Sequence, residues 1–597
     1  MPAAEMFSLV HLLSAVPHIL CLYGVFCHII CKPRGPSEET IPLLDQNFLS
    51  FMPGIDRQEL EELLTDEERW TCVVCDFGNL ASDSTCNLCG ALPAVNLDAV
   101  TLNSRQRAAR RRKQWTRHID TDGRARWIRH GDPSQLKTSW RIYTHVDPTN
   151  FQVMEEFVGG VATRPENRWP DMSTTPLQLH CRPIEDDKAD ASTTMLGTQL
   201  LQPIWEVLVA VSQLTFSSKY AWFLQQIAAM RVPFRQTHLE IKAARDHLLE
   251  GAKTELLELR GPLRCAIARH RFQGEAAIDA GAVQREWYTL VASAFMDPEK
   301  HLFQVTNQSD NSYFLASQSR DTESHDNLFR VVGRFIGRAL LDGQVIPMHL
   351  NLVVFKAILG LPIVFEDLED FDPVVYKSLT YILECANVDE LALSFSVWTV
   401  EEDGSMTQID LVENGRNIAV ENHNRVDFVQ AMVHHLVFDR VESHLAGLIQ
   451  GLYDIVPPEL LLVFDHKELE LILCGLPVVD VVDWKLNAVT SPNLRHSDVT
   501  DWFWEAVEAM EPQDQAKLLQ ISTGASRVPV QGFKGLTSFD GRICYFTLNG
   551  VPYKAGAYPV VHACFNRIDL PLYPTKELLQ DALRMLLLSD PTGFNTA

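Results

Sequence analysis

Four cysteines near the beginning of the chain constrain its fold more than any other feature. Cys72, Cys75, Cys86 and Cys89 are spaced Cys-x2-Cys-x10-Cys-x2-Cys. Two tight Cys-x2-Cys turns can bring four thiolates to the corners of a tetrahedron, which is what a closed structural zinc site needs. So short a segment cannot bury a hydrophobic core, so metal binding would supply its folding energy. The pattern predicts a four-cysteine zinc finger at residues 66–95 that holds one structural Zn²⁺; four unrelated buried cysteines are the alternative.

The composition indicates a globular protein of several domains. A chain of 597 residues is too long for one core, and a hydrophobic content of 46% is ordinary for a folded protein. The net charge of −25 argues against a general nucleic-acid binder, although residues 105–113 form an arginine-rich island. Thirteen cysteines in this length do not form a disulfide-dense pattern, which indicates a reducing compartment.

The N-terminal segment predicts a membrane anchor. Residues 6–30 carry no Asp, Glu, Lys or Arg and are long enough, as a helix, to cross a bilayer of roughly 30 Å. Basic residues follow this run, so the positive-inside tendency leaves the rest of the chain in the cytosol. We therefore expect residues 1–31 to anchor the cytosolic remainder of the chain to an endomembrane; an apolar helix packed on the protein itself is the alternative. Residues 32–65 form an acidic linker with a run that resembles a dileucine sorting signal.

The middle of the chain predicts a small accessory region. In residues 100–182, Trp115 and Trp127 flank a turn sequence at 120–123, which predicts a hairpin. The arginine-rich island is either a docking patch for acidic protein, lipid headgroups or RNA, or a solvated charged helix beside a structural tryptophan pair. Residues 183–233 are expected to be a linker followed by helix, because apolar residues recur there at helical spacing from residue 204.

A single cysteine close to the end of the chain carries a chemical signal. Cys564 stands in the run His562-Ala563-Cys564-Phe565-Asn566. A cysteine next to a histidine in a polar turn suits thiolate chemistry. A free cysteine is otherwise usually a small buried hydrophobe, so the local residues alone leave both interpretations open.

The run around Cys564 resembles the active-site loop of HECT-type ubiquitin ligases. Further segments resemble the family in the same order along the chain: 241–249, 271–287, 329–340, 366–368, 376–379, 414–418, 471–475 and 523–533. The resemblance implies an α+β, bilobal HECT domain, with a mostly helical N-lobe at 234–478 and a smaller α/β C-lobe at 479–597. The hinge between the lobes is expected near residues 477–482. The glycines at 333 and 337 are expected to permit close helix packing.

The same resemblance implies a reaction and its partners. In this family the cysteine accepts ubiquitin from a ubiquitin-conjugating enzyme as a thioester and passes it to a lysine of a protein substrate, so Cys564 would carry the glycyl thioester. His562 is a candidate for supporting the thiolate. Phe594 matches a phenylalanine that supports lysine transfer, and Phe428 matches an N-lobe aromatic that contacts the conjugating enzyme. The family usually has Thr where this chain has Ala563, which predicts reduced or differently supported transfer.

The cysteine-rich segment also resembles a known class of fingers. Trp70, Asn79 and the cysteine spacing resemble the Ran-binding-protein class, whose NZF subtype binds ubiquitin through a Thr-Phe pair and an apolar residue before the last cysteine. Phe77 and Leu88 match the two apolar positions, whereas Asp76 replaces the threonine. Other fingers of this class bind single-stranded RNA, which the neighbouring arginines would suit. The resemblance implies ubiquitin as the ligand, with RNA less favoured.

Three functions compete for this chain. It is a ubiquitin ligase, a cysteine hydrolase that removes ubiquitin, or a catalytically weak adaptor that binds ubiquitin or RNA through the finger. A hydrolase needs an activating histidine and an orienting Asp or Asn, and usually places its cysteine well before the histidine. The extended order of HECT-like segments favours the ligase.

Overall fold

The computed structural model describes the chain from residue 69 to residue 588 with several gaps. The described residues are 69–80, 83–97, 100–131, 136–144, 177–184, 190–197, 199–232, 236–258, 261–274, 282–308, 312–317, 322–400, 405–476, 478–525, 527–536 and 543–588. The predicted anchor at 1–31, the acidic linker at 32–65 and Phe594 lie outside them.

Three antiparallel strand pairs and one helix make up the first part of the described chain. The predicted hairpin around residues 120–123 is confirmed, and Trp115 and Trp127, which flank it, are both buried. The elements are β1 (Arg69–Thr71) paired with β2 (Gly78–Leu80), α1 (Ser104–Arg110), β3 (Trp115–Ile119) paired with β4 (Ala125–Arg129), and β5 (Ser139–Thr144) paired with β6 (Leu179–Ile184).

The arginine-rich island packs against a distant part of the chain. Arg107 donates to Oε1 of Glu369 at 2.8 Å, and Arg111 donates to the Glu366 carbonyl at 2.8 Å. Arg112 is buried, with 6% of its surface exposed. For these three arginines the alternative of a solvated charged helix therefore fails, because polar groups more than 250 residues further along the chain replace water around their guanidinium groups. Arg110 and Lys113 of the same island are exposed.

Most of the helices surround one large apolar core. The helices are α2 (Gln202–Ser212), α3 (Phe216–Met230), α4 (Leu248–Leu257), α5 (Gly261–Cys265), α6 (Ala282–Phe295), α7 (Thr322–Asp342), α8 (Leu352–Leu359), α9 (Leu368–Phe371), α10 (Pro373–Glu384), α11 (Arg425–Val437), α12 (Glu442–Tyr453), α13 (Pro458–Leu461) and α14 (His466–Cys474). The strands are β7 (His238–Ala243), parallel to β8 (Ile267–Phe272), and two antiparallel pairs, β9 (Phe303–Asn307) with β10 (Ser312–Leu315) and β11 (Ser396–Val400) with β12 (Met406–Asp410).

This larger core is one continuous cluster of buried apolar side chains between Ala108 and Cys474. It therefore includes residues of the accessory region and of the helical lead-in. At its centre α7 and α12 pack backbone against backbone. A Cβ atom added to Gly333 would lie 2.0 Å from the Leu448 carbonyl oxygen, and one added to Gly337 would lie 3.0 Å from the Leu452 carbonyl oxygen. The predicted packing role of the two glycines is confirmed.

A second, smaller core is formed by residues between Trp484 and Leu583. Its centre is a tryptophan, because Trp484 is fully buried and stacks on Phe533 with ring centroids 4.8 Å apart. Four strands form a mixed sheet in the order β13, β14, β16, β15. The elements are α15 (Val481–Leu486), β13 (Val489–Thr490), α16 (Asp498–Glu508), α17 (Pro512–Thr523), β14 (Thr547–Val551), β15 (Val560–His562), β16 (Arg567–Pro571) and α18 (Lys576–Leu588).

The chain passes from the larger core to the smaller one immediately after α14. Gly475 there has a φ of +67° and lies against Val528 of the smaller core, so that an added Cβ would be 2.4 Å from the Val528 carbonyl oxygen. The backbone N–H of Leu476 donates to that same carbonyl at 2.9 Å. A glycine is required at this point because a side chain would collide with the second core in a backbone conformation that other residues rarely adopt.

The prediction of a membrane anchor was wrong on the structural evidence. No helix among the described residues is long and apolar enough to cross a bilayer. The longest of them, α7, has 21 residues but carries Arg330, Arg334 and Arg338, which a bilayer core would not accommodate. The segment on which the prediction rested, residues 6–30, lies outside the described part of the chain.

Candidate active-site loop and metal centre

Cys564 lies in a tight turn between two strands of the smaller core. The turn spans Ala563–Phe565 and joins β15 to the antiparallel strand β16. Its last bond is donated by the backbone N–H of Asn566 to the Ala563 carbonyl at 3.1 Å. Phe565 is 61% exposed, so the turn lies at the protein surface. The backbone therefore presents position 564 at an edge of the sheet, next to an exposed aromatic side chain.

Asn566 fixes the end of this turn from the inside. It has a φ of +48°, a left-handed conformation that Asn adopts more readily than most residues. Its side chain is fully buried, and Nδ2 donates to the Cys544 carbonyl at 2.6 Å. Its own carbonyl accepts from the Thr547 backbone N–H at 2.8 Å, which links the turn to β14. Sequence reasoning missed this residue, although Asn directly after a three-residue turn is a recognisable signal.

His562 lies beside an acidic residue that sequence reasoning also missed. Its Nε2 is 3.1 Å from Oδ2 of Asp569, and the imidazole is 39% exposed. Arg567 Nε and Asn549 Nδ2 donate to Oδ1 of Asp569 at 2.6 and 2.8 Å. Burial alone would raise the pKa of Asp569, but the hydrogen bonds from Arg567, Asn549 and His562 outweigh it and lower the pKa to about 2. The carboxylate is therefore ionised at neutral pH and orients the imidazole.

The four cysteines of the predicted finger lie together and are buried. Sγ of Cys72 is 3.6 Å from Sγ of Cys89, and Sγ of Cys75 is 3.6 Å from Sγ of Cys86. All four sulfur atoms lie within 4.8 Å of one another. Tetrahedral zinc with Zn–S bonds of about 2.3 Å requires sulfur–sulfur distances of roughly 3.8 Å. The donor set and its dimensions therefore fit a metal ion of this kind.

Comparison with known proteins identifies the family. A profile described as the HECT domain (ubiquitin-transferase) matches residues 289–597, which is more than half of the chain. The chain belongs to the HECT family.

Several proteins similar to this chain are E3 ubiquitin-protein ligases. A TOM1-like ligase from Neurospora crassa is 33% identical over 388 residues, which cover 64% of this chain and 9% of the relative. UPL1 from Arabidopsis thaliana is 33% identical over 404 residues, 66% of this chain and 11% of the relative. TOM1 from Saccharomyces cerevisiae is 34% identical over 326 residues, 55% of this chain and 10% of the relative. The chain spans about a tenth of the length of these relatives.

One arginine connects the cysteine cluster to helix α14 of the larger core. Arg112 donates from Nε to the Cys75 carbonyl at 2.7 Å and from Nη2 to the Asp76 carbonyl at 2.9 Å. Its Nη1 donates to Oε1 of Glu468 at 3.1 Å and also contacts Asp465. Both carboxylates belong to the N-terminal cap and first turn of α14, which ends at the junction between the two cores. The sequence carries no signal for this link, because Arg112 and Glu468 are 356 positions apart.

The two apolar residues predicted to bind ubiquitin are buried against other parts of the same chain. Phe77 and Leu88 are 4% and 3% exposed. The Phe77 ring lies 5.4 Å from the Phe216 ring, centroid to centroid. Both residues belong to a small apolar cluster that also contains Leu471 of α14, and the partly buried Val530 packs against this cluster. In this arrangement the finger presents neither side chain to a separate ubiquitin molecule.

Phe428, the expected contact for the conjugating enzyme, lies beneath the surface. It is 5% exposed and packs edge-on against Phe395, with centroids 5.5 Å apart. Phe395 immediately precedes the β11–β12 hairpin. On that hairpin Trp398 and Met406 are 61% and 63% exposed. The cross-strand pairs Trp398–Gln408 and Val400–Met406 place Trp398 and Met406 on the same face. This exposed apolar face was not recognised from the sequence.

Proposed function

We propose that this chain is a ubiquitin ligase that carries ubiquitin as a thioester on Cys564. The match to the HECT domain over residues 289–597, with Cys564 in the turn between β15 and β16, is the observation that carries the proposal. The Cys564 thiolate attacks the carbonyl carbon of the thioester on the conjugating enzyme, whose sulfur leaves as a thiolate. A substrate lysine amine then attacks the new thioester, an amide forms, and the Cys564 thiolate is released.

The two cores correspond to the two lobes of this proposal. The N-lobe is proposed to end with residue 478 and the C-lobe to begin with residue 479. The larger core, which reaches Cys474, and the smaller core, which begins at Trp484, support this division. The described parts of the accessory region at 100–182 and of the lead-in at 183–233 pack onto the N-lobe, because their apolar residues join its core. Thioester exchange is nearly balanced in free energy, so catalysis depends mainly on positioning: the hinge after Gly475 must carry Cys564 between donor and acceptor.

The conjugating enzyme is proposed to bind the β11–β12 hairpin. Exposed aromatic and methionine side chains are enriched in protein interfaces, and Trp398 with Met406 forms such a pair. Phe428 supports this surface from below through Phe395. Its proposed contribution to binding is therefore to hold the hairpin in place.

Residues around Cys564 are proposed to have different roles in the reaction. His562, oriented by Asp569, is proposed to support the thiolate or accept the proton of the incoming lysine amine. Ala563 offers no hydroxyl, so any support from position 563 is proposed to come from its main chain. Phe594 stays a proposed contributor to lysine transfer.

The cysteine cluster is proposed to hold one Zn²⁺ ion through Cys72, Cys75, Cys86 and Cys89. A closed four-thiolate site is structural, so the ion fixes the fold of the finger and takes no part in ubiquitin transfer. The adaptor alternative finds less support, because Phe77 and Leu88 are buried and Arg107, Arg111 and Arg112 contact carboxylate and carbonyl groups of the N-lobe.

A serine variant tests the assignment of the nucleophile. When Cys564→Ser is incubated with ubiquitin-charged conjugating enzyme, we expect an adduct that survives reductant and is cleaved by alkali, because an oxyester replaces the thioester. The Cys474→Ser variant is the control, because Cys474 is buried in the larger core. It should keep the wild-type, reductant-sensitive adduct. A reductant-sensitive adduct in Cys564→Ser would mean that another cysteine accepts ubiquitin.

A further inference from the structure

Arg285 extends from the larger core into the smaller one. It lies in the first turn of α6 and is 8% exposed. Its Nε donates to the Thr523 carbonyl at 2.5 Å, and its Nη2 donates to Oδ1 of Asn566 at 2.9 Å and to the Ala563 carbonyl at 3.3 Å. All three acceptors belong to the proposed C-lobe, although Arg285 itself belongs to the proposed N-lobe.

Two of these acceptors flank the proposed nucleophile. Ala563 immediately precedes Cys564, and Asn566 follows it by two residues. The Ala563 carbonyl also accepts the N–H of Asn566, the bond that closes the turn. Arg285 therefore binds both ends of the turn at once. A guanidinium suits this role, because its donors lie in one rigid plane and point in fixed directions.

The third acceptor, the Thr523 carbonyl, lies where the two cores approach each other closely. Thr523 ends α17, and Gly524 follows with a φ of +85°. A Cβ at Gly524 would lie 3.0 Å from the Ala282 carbonyl oxygen at the start of α6. The last carbonyls of a helix lack partners within the helix and carry partial negative charge, so a buried cation favours this end of α17.

We propose that Arg285 is a positioning residue for the Cys564 turn. Through the Ala563 carbonyl and the Asn566 amide, it holds the backbone on both sides of Cys564 in one orientation relative to the N-lobe while the two lobes have the present arrangement; hinge motion breaks these contacts. The inference rests on the proposed function, because it assigns a role in the reaction that Cys564 is proposed to perform. It also supplies support through the main chain at position 563, where the side chain is only a methyl group.

The test measures single-turnover charging of Cys564 over a range of concentrations of ubiquitin-charged conjugating enzyme. We expect Arg285→Ala to lower the maximal charging rate about tenfold or more, because small misplacements of reacting groups have effects of this size or larger. The concentration that gives half-maximal rate should stay within about twofold of wild type, because the β11–β12 hairpin is untouched. Arg285→Lys keeps the charge and a single donor group, so it should recover only part of the rate.

Two further variants separate positioning from general destabilisation. Arg245→Ala removes a pair of hydrogen bonds of 2.7 and 3.0 Å to Glu286, the residue next to Arg285, without touching the turn. It should keep at least half of the wild-type maximal rate. Asn566→Gly keeps the left-handed backbone but removes the amide that Arg285 contacts. Combined with Arg285→Ala it should lower the rate by less than the product of the two single effects, because the two residues share one interaction.

Several results would overturn the inference. These are an unchanged or faster rate in Arg285→Ala, a loss of equal size in Arg245→Ala, full recovery in Arg285→Lys, or multiplicative effects in the Arg285 and Asn566 pair. If Arg285→Ala does not fold, the decision falls to Arg285→Lys and Asn566→Gly. A wild-type protein that cannot be charged would instead contradict the proposed function, and this inference with it.

Discussion

Asn566 lies two residues after Cys564 and connects three parts of the molecule. Its amide contacts Arg285 of the larger core and the Cys544 carbonyl, while its backbone joins β14. At the other end of the turn, His562 contacts Asp569 across the β15–β16 pair. The surroundings of the proposed nucleophile are thus fixed mainly by residues outside the local run that first draws attention to it.

The Asp569 carboxylate gives a prediction for pH. Its pKa of about 2 lies below the ordinary value of about 3.9. The hydrogen bonds of the carboxylate therefore stabilise the folded state fully at pH values above about 3.9, and this stabilisation is lost as the pH falls towards 2. We expect Asp569→Asn to melt at a lower temperature than wild type by a constant difference between pH 8 and pH 5. The difference should shrink below about pH 4, because a protonated Asp569 resembles Asn.

Thermal melting of both proteins across this pH range checks the prediction. Asp581→Asn serves as the control, because its partner Arg584 and Asp581 itself are both largely exposed. It should melt like wild type at every pH. A difference for Asp569→Asn that grows as the solution is acidified would contradict the assigned pKa shift.

Arg112 is the residue that attaches the finger to α14 of the larger core. Its ion pair with Glu468 is almost completely buried, whereas the neighbouring pair of Lys113 with Asp76 is largely exposed. Without Arg112, Glu468 still pairs with Lys219, but the buried charge network loses one of its cations and the Cys75 and Asp76 carbonyls lose a donor. Breaking a buried pair costs up to about 3–5 kcal/mol, whereas exposed pairs contribute little. We expect Arg112→Ala to lower the free energy of unfolding by this order of magnitude, and Lys113→Ala to have little effect. Urea unfolding of the two variants measures the contrast, and equal effects would contradict the assignment.

Among the elements, the β11–β12 hairpin is the proposed receptor for the conjugating enzyme. Trp398 is exposed and makes the larger apolar contribution to its outer face. Since central tryptophans in interfaces often account for about 2 kcal/mol or more of binding, we expect Trp398→Ala to raise the half-saturating concentration of conjugating enzyme by about tenfold or more. The maximal charging rate should change little, because Cys564 and its turn are unaffected.

The control for the hairpin is an exposed apolar residue elsewhere in the proposed N-lobe. Val305 in β9 is 41% exposed and lies on a different strand pair. Val305→Ala should charge like wild type. If Trp398→Ala also charges like wild type, the conjugating enzyme binds elsewhere.

The finger is the element whose fold is proposed to depend on metal. We expect one zinc ion per chain by elemental analysis, and none in a Cys86→Ser variant that has been exposed to a chelator. Because Phe77 and Leu88 pack against Phe216 and Leu471, loss of the ion should also increase hydrogen exchange in α3 and α14. Unchanged hydrogen exchange in these helices after complete zinc removal would show that the finger does not stabilise α3 and α14.

At the scale of the whole molecule, local patterns predicted local features. Cysteine spacing predicted the buried thiolate cluster, the turn sequence at 120–123 predicted a hairpin, and the small pair Gly333 and Gly337 predicted close helix packing. Each depends on residues close together in the sequence, whose spacing is sufficient to determine the geometry.

Long-range contacts could not be predicted in the same way. Arg112 meets Glu468, and Arg285 meets Asn566, across 356 and 281 positions. No periodicity or motif indicates which distant carboxylate or amide a given arginine will meet, because that depends on the packing of whole helices. For the same reason Phe77 and Leu88 were expected to bind ubiquitin, whereas both are buried in an apolar cluster with Leu471 of α14.

The central claim is that Cys564 accepts ubiquitin. The most direct measurement is the intact mass of the protein after brief incubation with ubiquitin-charged conjugating enzymes, with and without reductant. We predict one added ubiquitin on the wild-type chain, which is lost on reduction, maps to the peptide that contains Cys564 and is absent in Cys564→Ala. No adduct on wild type with any conjugating enzyme tested, or an adduct that Cys564→Ala retains, would contradict it.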